Sequence, residues 1–118
     1  MIKCLAIDDD RLFLRLISSF FKHIPDAHLI ATFEDPIEGI MAVVKQKPDV
    51  ILLDFEMPYL DGLEVINTLN RRPCKVILIT NHSNLERIRE ISADKFINKS
   101  ELINPGVLEA AILEVTQG

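Results

Sequence analysis

The chain has 118 residues, of which 48% are hydrophobic and 26% are charged, and this is the size and balance of one globular domain. Its net charge of −5 argues against a nucleic-acid-binding surface, which would show clustered Lys and Arg. Two cysteines suggest a reducing compartment without a disulfide framework, and the apolar runs are too short for a membrane span. The opening apolar run is also short for a signal peptide and leads into three aspartates, so we expect a cytoplasmic protein.

The first half of the chain predicts two strands, each followed by a helix. The strands are Lys3–Ile7 and His28–Phe33. Apolar residues at helical spacing predict a core-facing stripe on each helix. The first stripe contains Leu12, Phe13, Leu16, Ile17 and Phe20, and the second contains Ile37, Ile40, Met41 and Val44. Before the second stripe, Asp35 looks like an N-cap, Pro36 like a first helical residue and Glu38 like a capping-box acid.

The second half predicts three more strands and three helices. The strands are Val50–Asp54, Lys75–Thr80 and Lys95–Asn98. The third helix is indicated by Leu63, Ile66 and Leu69. The fourth is indicated by Leu85, Ile88 and Ile91, which follow a Ser83–Glu86 capping box. The last is indicated by an apolar set that follows Asn104-Pro105 and contains Val107, Leu108, Ala111, Ile112 and Val115. Strands that alternate with helices predict a doubly wound parallel α/β sheet, with ligands beyond the carboxyl ends of the strands.

Polar side chains lie at the carboxyl end of four predicted strands or directly after it. They are Asp8, Asp9 and Asp10 after the first, Asp54 at the end of the third, Thr80 at the end of the fourth and Lys99 after the fifth. In a doubly wound sheet these ends open at one edge. Converging carboxylates stay ionised only with a cation among them, and hard oxygen ligands suit Mg²⁺. Carboxylates, a divalent ion, a lysine and a hydroxyl together form a phosphoryl-transfer site in which an aspartate can be the nucleophile.

Each of these positions also has an ordinary structural interpretation. The three aspartates suit a helix N-terminus, Asp54 suits a turn, Thr80 suits a strand end and Lys99 suits a solvated surface. The combination carries more weight than any member, because a single architecture brings all of these positions together.

Four segments resemble the receiver domains of bacterial response regulators: LAIDDD, VILLDFEMPYLDG, VILIT and FINK. The resemblance covers essentially the whole chain and implies one receiver domain over residues 1–118. It further implies a (βα)5 flavodoxin-like fold with five parallel strands in the order 2-1-3-4-5. The segments IKCLAIDDD and ATFEDPIEGI are most similar to receivers that precede a LytTR-type DNA-binding domain.

The resemblance implies a metal site around the phosphoacceptor. Asp54 corresponds to the residue that accepts the phosphoryl group. Asp8 and Asp9 correspond to the acidic pair that holds Mg²⁺, one of them directly and the other through water. Asp54 itself and the backbone carbonyl of Glu56 complete the protein ligands.

The resemblance also implies a switch. Thr80 corresponds to the hydroxyl that hydrogen-bonds the phosphoryl group, and Lys99 to the ammonium that pairs with it. Phe96 matches an aromatic residue that turns inward when Thr80 moves, although an ordinary edge or core aromatic fits that position equally well. The face made by the fourth helix, fifth strand and last helix would then change and be read by a partner.

Several residues depart from the family pattern. Asn81 stands where a small residue is usual and would narrow access to the phosphoryl group. Glu56 and His82 lie two positions after Asp54 and Thr80, where we predict that they approach each other and alter dephosphorylation. Ser100 replaces a common proline after Lys99, and the predicted fourth helix is short.

These features predict a receiver that takes its phosphoryl group from a sensor histidine kinase or a phosphotransfer protein. It would catalyse only its own phosphorylation and slow dephosphorylation, would act on an effector outside this chain, and would bind neither nucleic acid nor membrane itself. Homodimerisation on phosphorylation is a further expectation. One alternative is a receiver-like interaction module that is not phosphorylated. A second is a haloacid-dehalogenase-type phosphatase, but this chain lacks the threonine of the Asp-x-Asp-x-Thr motif that such enzymes have. A third is a flavodoxin-type cofactor site, which is disfavoured because three aspartates would repel a phosphate group.

Overall fold

The protein contains a fully parallel sheet of five strands in the order β2-β1-β3-β4-β5. The structure, a computed structural model, describes residues 1–56, 74–81 and 93–117. The strands are β1 (Ile2–Ile7), β2 (Ala27–Phe33), β3 (Val50–Asp54), β4 (Lys75–Thr80) and β5 (Lys95–Asn98). The last three have the predicted bounds and the first two begin one residue earlier, so the predicted fold class and strand order are confirmed.

Helices cover both faces of this sheet. They are α1 (Arg11–Phe21), α2 (Pro36–Gln46) and α3 (Pro105–Thr116), together with a 3-10 helix at Lys99–Glu101. The predicted N-caps of α2 and α3 are confirmed, because Asp35 accepts a hydrogen bond from the Ile37 amide and Asn104 accepts one from the Val107 amide. The helices predicted around Leu63–Leu69 and Leu85–Ile91, with the Ser83 capping box, lie outside the described residues.

The core consists of two apolar layers separated by the sheet. Along β1, Cys4 and Ala6 face the layer that contains α1 and α3, whereas Leu5 and Ile7 face the layer that contains α2. The same alternation continues along β3 and β4. A strand covered on both faces needs apolar residues at every position, which explains the continuous runs in the sequence.

The predicted helix faces are only partly correct. On α3, Leu108, Ala111, Ile112 and Val115 are buried as predicted, and Val107 packs against them. On α1 the prediction is wrong for Leu12, which is 73% exposed, and for Leu16, while Leu14 and Phe21 are buried instead. On α2 it is wrong for Ile37, Met41 and Val44, all exposed, because the face toward the sheet is made of Pro36, Gly39, Ala42 and Val43.

Close packing explains this choice on α2. A Cβ atom at Gly39 would lie 2.5 Å from Ile7 Cδ1 and 2.7 Å from Ile7 Cγ1, inside van der Waals contact. We therefore expect Gly39→Ala to destabilise the protein by about 1–3 kcal/mol, although alanine is the better helix former. Urea unfolding at equilibrium measures the change.

Two further variants test this explanation. At Gly106 an added Cβ would meet only the Asn104 Oδ1 atom, at 3.1 Å, so Gly106→Ala should change stability by less than about 1 kcal/mol. Ile7→Val removes the nearest clashing methyl group, so the double variant Gly39→Ala/Ile7→Val should be more stable than the sum of the single effects predicts. Strict additivity would contradict the proposed contact.

None of the helices in the described ranges is long and apolar enough to cross a membrane.

Candidate functional site

The polar residues predicted at the strand ends meet at the carboxyl edge of the sheet. Asp54 is the last residue of β3, and Asp8 follows β1 directly. Because β1 and β3 are neighbours with Ile7 opposite Leu53, both carboxylates emerge at the same place. Asp8 is 2% exposed and Asp54 is 3% exposed, while Asp9 faces solvent. One oxygen from each of these three carboxylates lies within 4.8 Å of the others.

The third aspartate of the run has a different function. Asp10 is the N-cap of α1, and its Oδ1 atom accepts hydrogen bonds from the amides of Leu12 and Phe13 at 3.0 and 3.3 Å. Its own amide donates to Asp8 Oδ1 at 2.8 Å. The interpretation of the run as helix-terminal acids is therefore correct for Asp10, whereas Asp8 and Asp9 belong to the carboxylate cluster.

Lys99 provides the positive charge of this cluster. It begins the 3-10 helix after β5, and its Nζ atom lies 3.0 Å from Asp8 Oδ2 and 3.8 Å from Asp54 Oδ1. The side chain is only 20% exposed, so the ion pairs are poorly screened by solvent. The Nζ atom also lies 4.7 Å from the centroid of the Phe13 ring.

Burial and nearby charges shift the pKa values of the two buried carboxylates. Burial, followed by the charge of Asp8, raises the pKa of Asp54 to about 8, although Lys99 and the Glu56 amide act in the opposite direction. Burial also raises the pKa of Asp8. Burial lowers the pKa of Lys99, but the charges of Asp54 and Asp8 outweigh it and leave that pKa raised. The single positive charge of Lys99 therefore cannot neutralise both Asp8 and Asp54 when both are ionised.

The cluster has the chemistry of a divalent-cation site. Asp8 Oδ2 is buried and accepts no well-directed hydrogen bond among the described residues, although the Lys99 ammonium is 3.0 Å away. An acceptor in this situation gains from a cation, and three carboxylate oxygens suit a hard ion such as Mg²⁺. The residues present therefore fit the expected metal.

The other predicted residues surround this cluster. Thr80 is buried at the end of β4 and pairs with Asn98 of β5. The Glu56 amide donates to Asp54 Oδ1 at 3.3 Å, and Asn81 Nδ2 donates to Glu56 Oε2 at 3.4 Å. Phe96 is 41% exposed on the edge strand β5. The predicted approach of Glu56 to His82 lies outside the described residues.

Ser100 lies in a local structure that the sequence did not suggest. Asn98 caps the 3-10 helix by accepting a hydrogen bond from the Ser100 amide at 3.0 Å, and the Glu101 side chain accepts one from the Asn98 amide at 3.3 Å. No cis peptide bond occurs in the described parts of the chain. This capped turn holds Lys99 beside the carboxylate cluster.

Phe13 is the site residue that the sequence reasoning missed. Its spacing predicts only a place in an apolar helix stripe, because helical spacing says nothing about contacts with a lysine so distant in the chain. Its position one turn after the Asp10 N-cap was the available signal, since that turn borders the carboxyl edge of the sheet.

Comparisons with known proteins agree with this fold. A model of the response regulator receiver domain matches residues 4–112. A protein-glutamate methylesterase/protein-glutamine glutaminase of Bordetella pertussis is 34% identical over an alignment of 115 positions, which covers 92% of this chain and 33% of that protein. The chain thus spans about a third of the length of the curated relatives it matches.

Solved structures show the same architecture. The signal receiver domain of the putative response regulator NarL from Mycobacterium tuberculosis has a TM-score of 0.87 at 22% identity, with 99% of this chain and 97% of that one covered. The response regulator domain of Thermotoga maritima CheB has a TM-score of 0.77 at 24% identity, with 99% and 95% covered. The family match, the sheet order and the carboxylate–lysine cluster agree, and the chain belongs to the response regulator receiver domain family.

Proposed function

We propose that this chain accepts a phosphoryl group on Asp54 from a histidine kinase or a phosphotransfer protein. The observation that carries the proposal is the convergence of Asp8, Asp9 and Asp54 with the Lys99 ammonium at the ends of β1, β3 and β5. This combination suits phosphoryl transfer, in which positioning and neutralisation of charge supply most of the catalysis.

The proposed step is an in-line displacement at phosphorus. An Asp54 carboxylate oxygen forms a bond to phosphorus while the bond from phosphorus to the donor's histidine nitrogen breaks, and that nitrogen keeps the electron pair. Lys99 pairs with the phosphoryl oxygens and the Thr80 hydroxyl donates a hydrogen bond to one of them. Asp54 must be ionised to attack, which the nearby ammonium favours.

Asp8, Asp9, Asp54 and the backbone carbonyl of Glu56 are the proposed holders of Mg²⁺. When bound, the ion neutralises charge on the carboxylates and on the transferred group. The carboxylate cluster and the incompletely satisfied Asp8 Oδ2 support this assignment.

Phosphorylation is proposed to act through Thr80 and Phe96. Thr80 is buried beside β5 and gains by moving toward the phosphoryl group, and the partly exposed Phe96 ring has apolar area to bury if it turns inward. The output then lies with an effector domain or protein outside this chain, which the greater length of the curated relatives supports. Neither direct nucleic-acid binding nor catalysis beyond its own phosphorylation and dephosphorylation is proposed for this chain.

The residues at the mouth of the site are proposed to set the lifetime of the phosphoryl group. Asn81, next to Thr80, donates a hydrogen bond to Glu56, two residues after Asp54, and this contact is proposed to restrict the entry of water. His82 remains a predicted participant.

Incubation with Mg²⁺ and acetyl phosphate tests the proposed function. We expect intact mass spectrometry to detect a single phosphoryl adduct on the wild-type chain, because Asp54 is buried near the ammonium but, unlike Asp8, is not in direct contact with it. Asp54→Asn should abolish the adduct, since an amide is not a nucleophile toward phosphorus.

The matched control is Asp26→Asn, which changes an exposed aspartate just before β2, at the opposite edge of the sheet. This variant should form the adduct as the wild type does. An adduct that survives Asp54→Asn would contradict the assignment of the acceptor. No adduct on the wild type, with this donor or with phosphorylated kinase, would favour the non-phosphorylated interaction module instead.

A further inference from the structure

Lys99 needs a restraint that its ion pairs alone do not supply. A lysine side chain has four rotatable bonds and loses considerable rotamer entropy when it is held in one conformation. Its ammonium lies between two carboxylates at unequal distances, 3.0 Å from Asp8 and 3.8 Å from Asp54. Without another contact, the flexible side chain could close onto either carboxylate or extend into solvent.

The Phe13 ring supplies a third contact to this ammonium. The Nζ atom lies 4.7 Å from the ring centroid, within the range of a cation–π interaction. Phe13 is half-buried, and its ring packs against the apolar layer between α1, α3 and the sheet. Packing against this apolar layer therefore restrains the Phe13 ring while the ring contacts Lys99.

The position of Phe13 is itself tied to the carboxylate cluster. Asp10 accepts a hydrogen bond from the Phe13 amide, and the Asp10 amide donates to Asp8 Oδ1. Asp8 Oδ2 in turn faces the Lys99 ammonium. These contacts link Asp8 to Asp10, Asp10 to Phe13, Phe13 to Lys99, and Lys99 back to Asp8.

We propose that Phe13 is a positioning residue, whose ring holds the Lys99 ammonium at the distance from Asp54 that phosphoryl transfer requires. The ring attracts the charged end without adding a hydrogen-bond acceptor that would compete for it. The ammonium then stays 3.8 Å from Asp54 Oδ1, beyond direct hydrogen-bond distance, so it does not compete with the Glu56 amide that donates to this oxygen. This inference rests on the proposed function for its kinetic consequence, but the contact itself does not.

Three variants separate positioning from packing. Phe13→Leu keeps an apolar side chain and removes the ring, whereas Phe13→Tyr keeps the ring. Phe20→Leu removes a ring from the same apolar layer two turns further along α1, away from Lys99. It should lose stability as Phe13→Leu does, with no effect on the lysine.

The first measurement is the NMR shift of the Lys99 side-chain methylene protons, assigned by their loss in Lys99→Met. A proton near an aromatic face is shifted by the ring current, so we expect a displaced signal in the wild type and in Phe13→Tyr. The displacement should disappear in Phe13→Leu and persist in Phe20→Leu. A wild-type signal at the ordinary lysine position, or one unchanged by Phe13→Leu, would overturn the contact.

The second measurement is the second-order rate constant of adduct formation with acetyl phosphate and Mg²⁺. Phe13→Leu should lower it roughly twofold to fivefold, and Phe13→Tyr should restore it. Loss of the ring-current shift with an unchanged rate constant would overturn the positioning role. If the wild type forms no adduct at all, the proposed function fails, and the NMR measurement alone decides whether Phe13 holds Lys99.

Discussion

Asp8→Asn is expected to weaken Mg²⁺ binding by at least about tenfold and, at the same time, to stabilise the metal-free protein by roughly 1 kcal/mol or more. The substitution removes one of two buried carboxylates that share a single ammonium. Asn keeps an oxygen to accept the hydrogen bond from the Asp10 amide, so the local backbone structure should remain. Calorimetric titration with Mg²⁺ measures the binding, and urea unfolding in a chelator measures the stability.

The opposite signs of the two effects arise from one cause. Burial raises the pKa of Asp8, which means that its charged form is less favourable in the folded protein than in the unfolded chain. A cation removes that penalty, and the neutral amide avoids it altogether. Lys99 and Asp54 remain as a balanced pair in the variant, so no unpaired buried charge is left behind.

Asp9→Asn is the matched control, because Asp9 contributes an oxygen to the same cluster but is exposed. It should weaken Mg²⁺ binding with little effect on the stability of the metal-free protein. If Asp8→Asn destabilised the metal-free protein, the ion pair with Lys99 would have to outweigh the repulsion between the carboxylates. The cluster would then be an ordinary structural salt bridge.

The stability of the metal-free protein is expected to fall as the pH rises from about 5 to about 8. The pKa of Asp54 is about 8 in the folded protein, against an ordinary value of 3.8. The folded state therefore binds more protons than the unfolded state over this interval, and the free energy of unfolding decreases with pH. The contribution of the proton on Asp54 to stability is fully present below the ordinary pKa of 3.8. It is lost as the pH rises through the folded-state pKa of about 8. Each such proton can contribute a slope of up to about 1.4 kcal/mol per pH unit.

Urea unfolding in a chelator at several pH values measures this slope. Asp54→Asn should flatten the dependence, because the amide does not titrate, and saturating Mg²⁺ should reduce it in the wild type. Burial raises the pKa of Asp8 as well, so a smaller slope should remain in Asp54→Asn. A metal-free stability that does not fall over this interval would contradict the raised pKa of Asp54.

Much of the fold follows from local features of the sequence. The runs Val50–Asp54 and Lys75–Thr80 match β3 and β4 residue for residue, since strands buried on both faces are almost purely apolar. The run Lys95–Asn98 also matches the edge strand β5. The caps of α2 and α3 are local as well, because an Asx side chain and the amides it binds are two or three residues apart.

The helix faces were less predictable. On α2, large apolar residues at helical spacing lie exposed, and the face toward the sheet contains Gly39 and Ala42. Hydrophobic spacing favours large side chains, but a helix that packs tightly against a strand requires small ones at the point of contact. The rotation of a helix about its axis depends on that fit, which the sequence pattern does not contain.

The alternation of strands and helices is readable from the amino-acid sequence, and with it the meeting of Asp8, Asp54 and Lys99. That meeting follows from topology alone, because the carboxyl ends of parallel strands share one edge of the sheet. The tertiary structure decided that Asp10 caps α1, that Asp8 is left with an incompletely satisfied oxygen, and that the Phe13 ring contacts the Lys99 ammonium. These contacts depend on distances of a few ångströms between elements far apart in the chain, and only the packing of those elements sets such distances.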